Sequence, residues 1–323
     1  MHSRKESYSH LVLSLTGGLG NQLFQIAAAL YSSEPKTISV EWVFGRPRVN
    51  KSNLPQIECF ELPVQINLLR KSPDSWISRK TLGYLLRSSI EPKWFEKSHK
   101  LLELAKLIGS VVLLAKTGKY RLITTGNGIG FYPLSINSER RYLLGYFQSY
   151  KYSDNEFVME TLKNLRVKNF QNYSQYTEIA KIEEPLVVHV RLSDYREEDK
   201  FGIPEKEYYH ESITNLWETG KYKSIWLFSD EPENALDRIP LELQGFIRSF
   251  GDIENCTAKT LEVMRLGKGY VIANSSFSWW GARLSRTIEP VVVAPRPWFR
   301  HLIEPEDLIP PGWIRKNAWD FIE

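Results

Sequence analysis

Between residues 185 and 295 short apolar runs alternate with longer amphipathic stretches, a rhythm that predicts strands and helices in turn and therefore a parallel α/β sheet. Leu186-Val187-Val188 opens a strand running to Arg191. Further strands are predicted over 224–228, 270–273 and 290–294, with helices over about 205–218 and 278–286. The chain begins in the same way. Leu11–Leu15 reads as a strand, Thr16-Gly17-Gly18-Leu19-Gly20 as a turn, and Asn21 to Tyr31 as a helix whose apolar face is Leu23, Phe24, Ala27, Ala28 and Leu30. Thr37–Glu41 is the next strand. The middle of the first half is mostly helical in pattern until Arg140, where strand-type residues return and continue to Ser149. The polar stretch from Lys168 to Glu184 reads as a hinge. It divides the chain into an amino-terminal α/β domain, 1–170, and a carboxyl-terminal α/β domain, 171–323. The tail from Arg296 to Glu323, rich in Pro and Trp, is expected to pack across both halves.

Three of the predicted strands release polar groups at the same end. The run at 186 opens onto His189-Val190-Arg191-Leu192-Ser193-Asp194-Tyr195, the run at 224 ends in Ser229-Asp230, and the run at 270 ends in Asn274-Ser275-Ser276-Phe277-Ser278. In open α/β sheets the carboxyl edge is where ligands bind. His189 and Arg191 are two apart on a strand and share a face, while Val190 points the other way. Arginine suits a phosphate or diphosphate because its planar fork makes paired charge-assisted bonds that lysine does not reproduce.

Length and composition bound the picture without changing it. The 323 residues favour two domains, and 42% hydrophobic with 25% charged residues is a globular composition. Cys59 and Cys256 lack metal or disulfide spacing, which fits a reducing compartment. Residues Met1 to His10 have no apolar segment of the kind that directs secretion, and no run approaches the ~20 apolar residues of a membrane span. These features favour a cytoplasmic setting. The net charge of +4 is unevenly placed: between Arg70 and Arg121 twelve basic residues stand against four acidic ones, with aromatic residues and leucines interleaved. Two readings stand, a solvated helical face over core leucines, or a peripheral contact with anionic headgroups or a lipid-linked acceptor at the inner face of a membrane. No nucleic-acid-binding motif accompanies the charge.

Gly17-Gly18-Leu19-Gly20-Asn21-Gln22 is not a dinucleotide fingerprint, since Leu23 stands where the last glycine would be, and no Gly-Lys-Ser/Thr follows. What remains is a tight turn at a helix amino terminus, with Asn21 either a helix cap or the first side chain to reach a ligand. No Asp-x-Asp occurs in the sequence and the six histidines show no ligand spacing, so neither a metal nor another cofactor is expected. Asn274–Leu284 is the densest signal, with hydroxyls at a strand-to-helix turn, Gly281 allowing close helix packing, and Trp279 and Trp280 half in the core.

Together these segments resemble the α-1,2-fucosyltransferases of glycosyltransferase family 11. The resemblance rests on Gly17–Gln25, Gly145–Ser149, His189–Tyr195, Phe228-Ser229-Asp230 and Ser275–Ala282. It implies an α/β, GT-B-like fold of two facing Rossmann-like domains with parallel sheets, and metal-independent, inverting transfer of L-fucose from GDP-β-L-fucose to a glycan hydroxyl, usually the 2-OH of galactose. It places His189 and Asp230 near guanine, Arg191 at the β-phosphate, Ser275, Ser276 and Phe277 along the phosphate and ribose, and Gly20 and Asn21 on the donor from the other domain. Asp194 falls in the donor motif, where it either pairs with Arg191 or caps the loop. Asp194, Glu197, Glu198 and Asp199 all follow the strand end and any of them could face the acceptor; Asp199, a few residues further out, is the choice for the base that takes the acceptor proton. One departure stands out: Leu192 and Ser193 occupy positions where the family usually has Arg and Gly, and Arg196 or Arg283 are the cations that could replace the lost one. Transfer of another GDP-sugar, and non-catalytic GDP-sugar or glycan binding, are the alternatives. Synthesis of a surface polysaccharide is the setting these features suggest.

Overall fold

A computed structural model describes residues 10–33, 38–41, 54–64, 66–69, 121–124, 129–131, 140–197 and 199–319. Apart from its last residue, the basic stretch from Arg70 to Arg121 lies outside the described residues. The chain divides into two compact units, Met1–Arg166 and Val167–Glu323.

The first unit is built on five strands, β1 (His10–Ser14), β2 (Ile38–Glu41), β3 (Ile66–Leu69), β4 (Arg121–Thr124) and β5 (Arg140–Leu144). They run parallel in the order β3-β2-β1-β5-β4. Strands β3 and β4 fall in the stretch that the sequence pattern assigned mostly to helix. Each is four residues long and carries leucine, which fits either period, so so short an apolar run does not separate strand from helix. Helix α1 (Leu19–Ser33) begins two residues earlier than predicted and buries Ile26 through Leu30 without a break, so it is covered nearly all round.

The turn between β1 and α1 is held by buried glutamines. Gln25 accepts from the Thr16 amide at 3.0 Å and donates to the Gly145 carbonyl at 2.9 Å, joining the end of β1 to the end of β5. Gln22 donates to the Gly17 carbonyl and accepts from the Ile57 amide, and Gln56 accepts from the Leu19 amide at 2.8 Å. Gly17 has φ +72°, and a Cβ there would meet the Asn21 side chain at 2.5 Å.

The second unit carries β6 (Pro185–Val190), β7 (Ser224–Ser229), β8 (Ile247–Phe250), β9 (Gly269–Val271), β10 (Val291–Arg296) and β11 (Ile314–Asn317). All six are parallel, in the order β8-β7-β6-β9-β10-β11. Every residue of β6, β7 and β9 is buried, as a sheet covered on both faces requires. On β6 the even positions Leu186, Val188 and Val190 enter one core with Tyr208, Tyr209 and Ile213 of a helix, Lys206–Trp217, and Leu192 continues that set. His189 and Arg191 therefore belong to the opposite face.

Several elements of the second unit differ from the sequence reading. The expected hinge is largely a helix, Tyr173–Glu183, none of whose residues is buried, which is why its sequence looks like a linker. Glu183 moors it to the sheet by accepting from Trp226 Nε1 at 2.6 Å and pairing with Arg248. Strand β8 and the helix Thr257–Met264 were not anticipated; β8 is a half-exposed edge with only two apolar residues. The tail supplies β11, an edge strand whose Ile-Arg-Lys-Asn sequence hides its role. Ala318 and Trp319 enter the core of the same unit, and Trp279 Nε1 donates to the Leu308 carbonyl, so the tail is an integral part of the second unit. Trp279 and Trp280 are wholly buried rather than half core.

Replacing Gln25 by alanine leaves the Thr16 amide and the Gly145 carbonyl without their shared partner. A loss of about 2–4 kcal/mol in unfolding free energy is expected, measured by urea denaturation; stability equal to wild type would show that water substitutes for the amide.

Candidate functional site

The winding of the second sheet fixes where a ligand site belongs. From β6 the chain passes outward through β7 to β8, then returns to the other side of β6 as β9, and the crevice at the carboxyl ends of β6 and β9 is the point where the direction reverses. His189 and Arg191 finish β6 on one side of this point. Ser275, Ser276 and Phe277 follow β9 on the other, at the start of a helix, Ser276–Arg283. Ring centroids of His189 and Phe277 lie 5.8 Å apart, so the two strand ends share one site.

Ser275 is the cap of that helix, its Oγ accepting from the Phe277 amide at 3.3 Å. The helix is held at its far end by a buried ion pair: Arg265 donates to the Leu284 carbonyl and to Glu262, and Arg286 pairs with the same Glu262. Gly281 matters for packing as expected, since a Cβ there would stand 2.4 Å from Met264 Sδ.

His189 is 4% exposed and its Nδ1 has no hydrogen-bond partner. Burial, reinforced by the neighbouring Arg191 cation and only partly offset by Asp230, pushes its pKa down to about 3. The ring is neutral at physiological pH. Asn274 Oδ1 is a second buried atom without a partner, although the Asn274 amide donates to the Phe201 and Gly202 carbonyls and so holds the loop beyond residue 199. Two buried polar atoms left unpaired at one switch point are what a polar ligand would satisfy.

Arg191, with a side chain 21% exposed, donates from Nε to Asp194 at 2.8 Å, and its Nη1 lies 3.5 Å from Asp230 Oδ2. Burial alone would lower its pKa, but the bond to Asp194 and the charges of Asp230 and Asp194 outweigh it and the net displacement is upward. For Asp230 burial pushes the carboxyl up, and hydrogen bonds from Ser193 and the Leu192 amide together with Arg191 bring it below its ordinary value. Asp194 pairs with Arg191, one of the roles open to it.

Leu192 is 3% exposed and enters the core on the face away from Arg191. Arg196, one of the two cations named as a replacement, has its guanidinium bound by both oxygens of Glu231 at 2.6 and 2.8 Å. Arg283 ends the helix that Ser276 begins, about 10 Å along its axis from the amino end. Asp199 is 81% exposed, with Arg300 and His301 each 3.8 Å away. In the first unit Gly20 and Asn21 lie in the first turn of α1, so Asn21 is inside the helix rather than its cap, and its Oδ1 accepts from Gln148 Nε2 at 2.9 Å. That bond spans the end of β1 and the end of β5, the corresponding switch point of the first sheet. Gln148, Ser193, Tyr195 and Asn274 were given no role in the sequence reading. Their signal was position: each lies within a few residues of a strand's carboxyl end. Among the described residues no group of His, Cys, Asp and Glu is arranged to hold a metal, and no helix is long and apolar enough to cross a membrane.

A parallel α/β unit of this winding, with an arginine and a capped helix start at its switch point, is a nucleotide-type binding fold. The glycosyl transferase family 11 model matches residues 125–317, more than half of the chain, and the chain belongs to that family. It is a glycosyltransferase, and each of its two units is built on a parallel sheet. The alpha-1,2-colitosyltransferase of Escherichia coli is 27% identical over 95% of this chain and 99% of its own length. The O-antigen biosynthesis glycosyltransferase WbnK of Escherichia coli is 24% identical over 88% of this chain and 93% of its own. Among solved structures, fucosyltransferase NodZ from Bradyrhizobium has a TM-score of 0.47 at 10% identity, covering 86% of this chain and 93% of that one.

The depressed His189 pKa ties stability to pH. Unfolded, the ring binds a proton near its ordinary value of 6.5, and folded only near about 3, so this contribution is complete above 6.5 and is lost as pH falls toward 3. Unfolding free energy should decline across that window, and His189→Gln should flatten the slope in denaturation at pH 4 to 7. Identical slopes for the two proteins would contradict a buried neutral ring.

Proposed function

We propose that this protein transfers L-fucose from GDP-β-L-fucose to a glycan hydroxyl, the 2-OH of a galactose, with inversion and without a metal ion. The observation that carries the reading is Arg191 at the switch point between β6 and β9, in a chain that belongs to glycosyl transferase family 11. Its Nε is engaged by Asp194, while among the described residues none is hydrogen-bonded to Nη2, so the outer edge of the guanidinium is available to a phosphate oxygen. As the C1–O bond to the diphosphate breaks, negative charge grows on the leaving oxygen and the sugar gains oxocarbenium character. A fixed guanidinium at that oxygen acts most strongly in the transition state. His189 and Asn274 supply buried polar atoms for the nucleoside, and Ser275 and Ser276 supply hydroxyls beside the helix start.

A second donor is favoured by a specific observation. Leu192 is turned into the core, so the donor site lacks one arginine of the family pattern, and one relative is an alpha-1,2-colitosyltransferase. A GDP-linked colitose is accordingly the alternative donor. The acceptor in either case is a polysaccharide unit of the O-antigen type, suggested by the second relative's name, and a lipid-linked form would bring the enzyme to a membrane surface from the cytoplasm.

The decisive measurement is turnover of GDP-fucose and GDP-colitose against galactose-ended acceptors. Transfer from GDP-fucose is expected, and Arg191→Ala should lower kcat by at least ~100-fold, the scale of one preorganised charge donor. Near-normal turnover in that variant would remove Arg191 from the mechanism, and GDP binding without transfer from either donor would make the protein a binder rather than an enzyme.

The acceptor proton needs a base, and Asp199 is the proposed one. Asp194 and Asp230 are bonded to the Arg191 region, whereas the Asp199 carboxylate is largely exposed and, among the described residues, has only the 3.8 Å contacts of Arg300 and His301 beside it. Asp199→Asn should reduce kcat by about 10²–10⁴-fold with little change in donor affinity, the range general-base catalysis spans. Wild-type kcat in this variant would pass the role to another group.

A further inference from the structure

Asp230 closes β7, next in the sheet to β6, and its surroundings give it a task other than contact with a base. Oδ1 accepts from the Leu192 amide at 3.0 Å, Oδ2 from the Ser193 amide at 3.0 Å, and the Ser193 hydroxyl adds a short bond to the same Oδ2. Arg191 Nη1 approaches that oxygen at 3.5 Å, and the Asp230 side chain is 17% exposed. Successive main-chain N–H groups that converge on one point form a concave anion site. Here the protein fills it with its own carboxylate.

Both oxygens are thus committed to the turn that follows β6. The two amides belong to the residues directly after Arg191, so the carboxylate fixes the peptide planes from which that side chain departs, and its charge holds one end of the guanidinium. Asp194 holds Nε from the other side. The arginine is left one well-defined direction for its outer edge. Ser193 strengthens the arrangement through its hydroxyl, which a glycine would lack.

We infer that Asp230 is a positioning residue, which clamps the Leu192–Ser193 turn to β7 and aims Arg191 at the anionic part of the ligand. The inference rests on the donor reading above only for the choice of ligand. It predicts a split between the two parts of a nucleotide: the clamp governs phosphate affinity and leaves nucleoside affinity alone.

The test compares wild type, Asp230→Asn and Ser193→Gly by calorimetry with GDP and with guanosine, and follows hydrogen–deuterium exchange at the Leu192 and Ser193 amides. Asparagine turns an N–H toward one of the two amides and breaks the clamp. Asp230→Asn should weaken GDP binding by about 10- to 100-fold, the scale of a lost hydrogen bond to a charged group, while guanosine affinity stays within about twofold. Exchange at both amides should quicken, and Ser193→Gly, which keeps both N–H donors, should show the same pattern in smaller degree. Equal losses for GDP and guanosine would make Asp230 a base contact and overturn the inference, as would unchanged GDP affinity. Should wild type bind neither ligand, the donor reading fails, and amide exchange decides alone: unchanged exchange in Asp230→Asn overturns the clamp, and faster exchange upholds it.

Discussion

The second unit is governed by the burial of its central strands on both faces. A parallel sheet reached by crossover helices has no wet face, so the interiors of β6, β7 and β9 are given over to packing and their chemistry is confined to one edge. The pleat then decides which residues at that edge enter the core and which face the switch point. Val190 and Leu192 go to the core under the helix Lys206–Trp217, and His189 and Arg191 go to the side of the helix that Ser275 caps. Neighbours in sequence meet opposite fates because the alternation runs two residues past the end of the strand.

The electrostatics of this edge are balanced rather than strongly basic. Arg191 stands between two carboxylates, Arg196 is matched by Glu231, and His189 is neutral. An anion arriving here finds one directed guanidinium edge, hydroxyls and unpaired buried atoms, with no excess of positive charge among these groups. Binding of that kind draws on fixed geometry, so small rotations of the Leu192–Ser193 turn matter more than the total charge of the surface.

Much of this was visible in the chain. Strands at 185–190, 224–229, 269–271 and 291–296 were legible because buried parallel strands are continuous apolar runs bounded by polar residues. Arg191, His189 and Ser275 were legible as the polar residues at their ends. What the sequence concealed lay at the edges and in pairings. Strands β8 and β11 are half exposed and mostly polar, and the helix 173–183 buries no residue, so none had an apolar signature. Strands β3 and β4 were concealed for the opposite reason, since four residues with leucine suit either period. The use of Asp230 was hidden because its partners, the amides of Leu192 and Ser193, are main-chain groups of residues 37 and 38 positions away.

The burial of Leu192 also bears on how this chain can change. An exchange to arginine would place a guanidinium at a position only 3% exposed, in an apolar cluster that includes Val190, Tyr209 and Ile213, at the cost of burying a charge. Position 192 thus belongs to the packing of the sheet edge, and a further cation beside Arg191 would have to come from a position on the face of His189 and Arg191.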